Sequence, residues 1–201
     1  KSTQSPNVSF PQGTKLSIDS QAVKETSNEI TAKYEYRSTR VITASKSNPE
    51  LKLVPVTQKV TFKTSKDIPK LGLMLVGWGG NNGSTLTAGL LANKMGISWE
   101  TKKGTAKPNY FGSMLMSTTL KVGYNEEGKE VFVPLKDVLP ITNPNDIAVT
   151  GWDISKMNLA DAMNRAQVLD PDLRRQLKGA MSKMVPMPSI YAPDFIAANQ
   201  E

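Results

Sequence analysis

Three features of the chain predict an α/β fold organised around a parallel sheet. Residues 71–85 read Leu-Gly-Leu-Met-Leu-Val-Gly-Trp-Gly-Gly-Asn-Asn-Gly-Ser-Thr: a short apolar run, a glycine-dense turn, then the opening of a helix. Residues 146–150 form a second short apolar run, closed by Gly151, Trp152 and Asp153. Continuous apolar runs of this length suit strands buried on both faces, as parallel strands are. Ahead of both, Ile30, Ala32, Tyr34 and Tyr36 alternate with Thr31, Lys33, Glu35 and Arg37, the two-residue period of a half-exposed strand.

Residues 1–29 are polar and broken by Pro6, Pro11 and Gly13, which predicts an extended arm. The alternating strand begins at Ile30. Further strands are expected at 41–44 and 54–63, with Pro55 holding the last to a sheet edge or a bulge because proline lacks an amide donor. This N-terminal third, residues 1–65, is read as a β-rich appendage that covers a sheet edge or meets another subunit. Residues 66–201 are read as the main domain. Its first helix is expected over 84–94, with Leu86, Gly89, Leu90 and Asn93 at helical spacing. Small Ala88 and Gly89 would let that helix lie close to the sheet, and Gly96 would end it.

Residues 97–144 interrupt the strand–helix alternation and are read as an insertion. Within it, 118–122 and 130–133 flank Asn-Glu-Glu-Gly at 125–128, a hairpin signal. One helical turn is expected before Pro140. The basic stretch 102–107 (Lys-Lys-Gly-Thr-Ala-Lys) reads as a solvated loop, as does the region of Trp99 and Glu100. After the strand at 146–150, Ser155 or Asn158 would cap a helix reaching about Val168, with Leu159, Met163, Ala166 and Leu169 on one face. A second helix is expected over 172–184, with Pro186 and Pro188 ending it, and 189–191 is a short strand candidate.

The glycine turn carries the chemistry. A helix N-terminus presents unpaired N–H groups and the positive end of the peptide dipole, so it favours an anion. A turn without side chains lets backbone approach a pyrophosphate. The usual dinucleotide spacing, G-x-G-x-x-G, is met by Gly77 and Gly79, but its third position is Asn82, with Gly83 one residue late. Either the turn is one residue longer than the common form, or Asn82 adopts a conformation that asparagine tolerates. The competing account is a tight strand–helix turn that holds no ligand.

A dinucleotide fold also needs a carboxylate for the ribose, usually about 20 residues past the glycines. Asp153 has the right context at the end of a strand, and the insertion explains its greater distance. Its charge would repel the extra phosphate of NADP. The alternative role is a helix cap.

Composition removes other chemistries. The 201 residues include neither cysteine nor histidine, so disulfides, thiolate metal sites and the commonest general base are excluded. No metal site is expected. The net charge of +7 is concentrated in residues 1–75, with 12 Lys/Arg against 6 Asp/Glu, whereas residues 76–201 have 13 against 12. No basic stripe interleaved with aromatics appears, so nucleic-acid binding is not expected. With no apolar run of about 18 residues and no signal peptide at its start, the chain is expected to be cytoplasmic, with no membrane partner.

Five blocks together resemble the eukaryotic inositol-3-phosphate synthases. They are Gly-Trp-Gly-Gly-Asn-Asn-Gly-Ser-Thr (77–85), Pro-Asn-Tyr-Phe-Gly-Ser (108–113), Pro-Asn-Asp (144–146), Gly-Trp-Asp-Ile (151–154) and Pro-Ser-Ile-Tyr-Ala-Pro-Asp-Phe-Ile-Ala-Ala-Asn-Gln (188–200). They run in family order from about residue 70 onward. The family pattern GxGGNNG also accounts for the late third glycine. The resemblance implies a Rossmann-like sheet, incomplete in this chain, and NAD as cofactor. Matching positions put the dinucleotide at Gly77, Gly79, Gly80, Asn81, Asn82, Asp153, Ser189, Ile190 and Gln200.

The family reaction converts glucose 6-phosphate to inositol 3-phosphate by oxidation, enolisation, intramolecular aldol closure and reduction. The resemblance puts its catalytic lysines and aspartate beyond Glu201, so no catalytic residue is assigned here and the chain alone is expected to be inactive. It further implies a homotetramer. A non-catalytic dinucleotide-binding or scaffold module is the competing function. Tyr110, Phe111, Gly112 and Ser113 would line the cofactor pocket or form a loop anchored by the two aromatics, Met114, Met116, Met157, Met163, Met181, Met184 and Met187 are read as packing filler, and Arg174 and Arg175 as a solvated face.

Overall fold

The structure is a computed structural model that describes residues 16–47, 49–192 and 194. The chain divides into two compact units, residues 1–68 with 118–141, and residues 69–117 with 142–201.

In the first unit, β1 (Val23–Glu25), β2 (Glu29–Ile42) and β3 (Lys52–Ser65) form an antiparallel sheet in the order β1-β2-β3. β2 and β3 pair over their full length, from Glu29↔Ser65 to Ile42↔Lys52. The segment from Val41 is thus the end of β2 rather than a separate strand. Pro55 sits on β3, an edge strand of this sheet, where a missing donor is tolerated. The same unit contains the hairpin expected from Asn-Glu-Glu-Gly.

In chain order the second unit begins with β4 (Gly72–Val76), α1 (Asn81–Met95), β5 (Trp99–Thr101), β6 (Gly104–Ala106) and the short α2 (Met114–Ser117). The hairpin of the first unit follows as β7 (Thr119–Tyr124) and β8 (Glu130–Pro134), and the expected helical turn as α3 (Leu135–Val138). Then come a 3-10 turn (Pro144–Asp146), β9 (Ala148–Asp153), α4 (Leu159–Ala166), α5 (Pro171–Met181) and β10 (Met187–Pro188). The sheet order is β10-β9-β4 and every pairing is parallel, with Val76 opposite Trp152 and Pro188 opposite Asp153.

Several elements differ from expectation. Residues 99–106 form a hairpin instead of a loop: Gly104 takes φ +109° after Lys102 and Lys103, and the Thr101 hydroxyl donates to the Gly104 carbonyl. Strand β10 lies at 187–188, and 189–191 is not a strand. Strand β4 is not buried on both faces: Leu73 and Leu75 are half-buried, while Met74 and Val76 are exposed. Alternation wins because α1, α4 and α5 form one apolar cluster, and Leu75 is the β4 side chain that joins it. Helix α4 stops at Ala166 because Gln167 turns left-handed, φ 51°.

The core explains which helix faces look inward. Leu159 with Met163, and Leu173 with Leu177 and Met181, repeat at four-residue spacing and are almost completely buried. Helix α1 buries small residues instead, Gly83, Ser84, Thr87, Ala88 and Ala92, while Leu86 and Gly89 are exposed. Of the two small residues expected to bring the helix close, Ala88 is buried but Gly89 is exposed, and Leu86 does not face the core. Small side chains let α1 approach closely enough that backbone meets backbone, as the site requires.

Candidate functional site: a pinned glycine turn at the N-terminus of α1

Strand β4 delivers Gly77 at the start of the turn, where φ is +80°, a left-handed conformation that suits glycine. The amides of Gly77 and Trp78 both donate to the Trp152 carbonyl of β9, at 2.8 and 2.9 Å. The Gly80 amide donates back to the Gly77 carbonyl at 3.0 Å. Trp78, in the one large position of the turn, folds inward and is 4% exposed; its indole N–H donates to the Thr87 hydroxyl, which donates to the Gly83 carbonyl. The tryptophan thus ties turn to helix at two levels.

Helix α1 begins at Asn81, three residues earlier than the sequence pattern suggests, with Gly80 as N-cap. Asn82 is consequently helical and does not adopt the unusual conformation that is one of the two expectations. Gly83 is the residue that meets a constraint: a Cβ there would lie 2.3 Å from the Trp78 carbonyl oxygen. Gly151 plays the same part on β9, where a Cβ would lie 2.1 Å from the Leu75 carbonyl oxygen.

The first turn of α1 has no side-chain cap and no acidic residue. The Gly80 carbonyl accepts from the Ser84 amide and hydroxyl, so the helix proper is closed behind the turn. The amides of Asn81, Asn82 and Gly83 precede the first intrahelical donor, Ser84. Such amides point off the helix end with the positive end of its dipole.

Asp153 lies beside the turn and is 8% exposed. One carboxylate oxygen accepts the Gly79 amide and the other the Ser155 amide, each at 2.8 Å. It does not cap α4. That cap is Asn158, whose side chain accepts from the Asp161 amide at 3.0 Å. The Gly79 amide is therefore occupied, which moves the anion-facing donors forward to 81–83. From the far side of the turn, the Arg165 guanidinium donates to the Gly79 carbonyl at 3.0 Å.

Gly77, Gly79, Gly80, Asn81, Asn82 and Asp153 are thus gathered at one site. Ser189 adjoins it, its amide donating to the Asp153 carbonyl at 3.0 Å. Ile190 is 94% exposed, and Gln200 lies outside the described residues. The Tyr110 hydroxyl donates to Asn145 at 2.6 Å; burial raises its pKa, and Phe111 is exposed. Arg175 is exposed and pairs with Asp172, but Arg174 is half-buried, so only part of that pair fits a solvated face.

Sequence reasoning missed Trp78, Thr87 and Arg165. A tryptophan inside a glycine turn was a legible signal for the first. Arg165, 86 positions from Gly79, had none.

Residues 71–201 match an NAD-binding family model described as myo-inositol-1-phosphate synthase. Inositol-3-phosphate synthase isozyme 2 of Arabidopsis thaliana is 54% identical over 185 residues, which is 91% of this chain and 36% of that protein. Inositol-3-phosphate synthase 1 of Oryza sativa subsp. japonica is likewise 54% identical, with the same coverage. A crystal structure of inositol-3-phosphate synthase from Caenorhabditis elegans superposes with a TM-score of 0.83 at 41% identity, covering 93% of this chain and 36% of that one. The chain spans about a third of the length of the curated relatives it matches.

Proposed function

The chain belongs to the myo-inositol-1-phosphate synthase family, and on that premise we propose that it is the NAD-binding portion of an enzyme that converts glucose 6-phosphate to inositol 3-phosphate. The carrying observation is the uncapped, acid-free N-terminus of α1, closed behind by the pinned turn. That arrangement fits a pyrophosphate: outward amides, a favourable dipole, and glycine where backbone must come near. The amides of Asn81 and Asn82 hold the phosphates, with Gly77, Gly79 and Gly80 shaping the approach. Asp153 receives the adenosine ribose through lone pairs left after its two backbone bonds, and its negative charge disfavours a 2′-phosphate. Ser189, Ile190 and Gln200 complete the dinucleotide contacts by family position.

Bound there, NAD supplies a reversible hydride store, which suits a reaction of no net redox change. The chain's own part is to bind and orient: it offers fixed donors that need no rearrangement when the anion arrives. No residue of this chain is assigned to proton transfer. The family supports homotetramer assembly and a cytoplasmic location as further parts of the proposal. Among the described residues no helix is long and apolar enough to cross a membrane.

The test is inositol phosphate production from glucose 6-phosphate and NAD by the whole protein that carries this chain. Product is expected. Tight NAD binding without product would overturn the synthase reading and leave a non-catalytic dinucleotide-binding module.

A further inference from the structure

We propose that Arg165 is a positioning residue for the dinucleotide site, acting through the peptide between Gly79 and Gly80. The inference rests on the reading that NAD binds at this turn, and it begins from the bookkeeping of the turn's peptides. The peptide joining Gly77 and Trp78 is held at both ends, by Trp152 on its N–H and by the Gly80 amide on its C=O. The peptide joining Trp78 and Gly79 has its N–H on Asp153. The peptide joining Gly79 and Gly80 has its N–H on Gly77 and its C=O on Arg165. The next peptide has its C=O on Ser84 and its N–H, that of Asn81, outside these bonds.

Arg165 therefore completes a chain of fixed peptides that ends where the outward amides begin. It is a hydrogen bond that reaches the turn from α4, whose Leu159, Ala160 and Met163 share the core cluster with Trp78, and it holds the peptide that leads into the N-cap Gly80. Without it the 79–80 peptide keeps one tether, through its N–H, and can swing about its flanking bonds. Glycine on both sides lowers the steric barrier to that swing, which the remaining N–H bond alone opposes. The aim of the Asn81 amide follows the same motion.

A rival account is purely structural: Arg165 lies in the last turn of α4, where a cation complements the helix dipole. The two accounts differ in where the damage falls. Loss of the dipole contact loosens α4, whereas loss of the carbonyl contact loosens the turn. Nη2 makes a single bond to Gly79 while Nη1 lies 3.9 Å from the Met157 sulfur, so a lysine, whose one nitrogen carries three donors on a slightly shorter stem, can supply the carbonyl bond without the second contact.

The experiment compares the full chain with Arg165→Met and Arg165→Lys by amide hydrogen exchange and NAD titration. Arg165→Met is expected to speed exchange at Gly80 about tenfold and to weaken NAD about tenfold, the scale of one lost hydrogen bond to a charged group. Arg165→Lys is expected to restore most of both. Unchanged exchange at Gly80 in Arg165→Met overturns the proposal, and so does equal acceleration throughout α1 and α4. A lysine variant whose Gly80 exchanges about tenfold faster than in the unaltered chain also overturns it, and this arm stands even if Arg165→Met fails to fold. If the exchange pattern holds but the full chain takes up no NAD, the reading of the pocket falls while the positioning role survives.

Discussion

Replacing Gly83 with alanine tests whether close backbone approach, rather than helix propensity, dictates that glycine. In an unconstrained helix the change stabilises by up to about 1 kcal/mol, because alanine loses less backbone entropy than glycine. At Gly83 the added Cβ would lie 2.3 Å from the Trp78 carbonyl oxygen and 2.8 Å from its carbonyl carbon and Cα. All three are backbone atoms of a turn tied to β9, so no flexible side chain can yield. The oxygen contact is about 1 Å short of ordinary separation, and α1 must retreat by a similar distance. Overpacking of this kind costs about 1–3 kcal/mol. The net expectation is a loss of about 1–2 kcal/mol in urea unfolding, with weaker NAD binding because the amides of 81–83 ride on the displaced helix. Gly89→Ala is the internal control: it lies on the same helix with open space around it, so it should stabilise by up to about 1 kcal/mol and leave NAD unaffected. If both substitutions stabilise, or both leave NAD binding alone, the close-approach argument is wrong.

Other outcomes follow from the same geometry. Gly151→Ala sets a Cβ 2.1 Å from the Leu75 carbonyl oxygen, so it should open the β4–β9 pairing and shift the thermal midpoint further than Gly83→Ala; an unchanged midpoint would contradict this. Asp153→Asn keeps the shape but turns an amide N–H toward one of two backbone donors, at a cost of about 1–3 kcal/mol. It should also narrow the preference for NAD over NADP, measured by paired titrations; a preference that stays intact would remove Asp153 from the ribose. The Glu100 amide, then Arg175, hold the Asp172 carboxyl below its usual range. A depressed folded value means that stability is present at neutral pH and is lost as pH falls through the carboxylate range. Asp172→Asn should therefore flatten the acid limb of the unfolding curve, followed through Trp99 fluorescence; an unaltered acid limb would show that the carboxylate contributes nothing there.

Much of the local structure was legible because it is locally encoded. The alternation from Ile30 marked β2 as a strand, although Tyr34 and Tyr36 on its expected inner face are exposed; Gly96 ended α1, Asn158 capped α4, and Asn-Glu-Glu-Gly turned the β7–β8 hairpin. Local signals also misled. Leu86 and Gly89 sit at helical spacing, yet the buried stripe of α1 is the one of small residues. Close packing, rather than side-chain hydrophobicity, selects that face. The hairpin at 99–106 was hidden by its lysines, which are soluble in a turn as readily as in a loop.

By itself the sequence determined the apolar run, the glycines, the start of a helix beyond them and the resemblance to a family. Each is a property of neighbouring residues or of ordered blocks. Only the tertiary structure decided which amides stay available to an anion. That depends on Asp153 taking the Gly79 N–H and Arg165 taking its carbonyl, from 74 and 86 positions away. Hydrogen bonds across such separations leave no periodicity in the chain, because they are set by how β9 and α4 come to lie beside the turn.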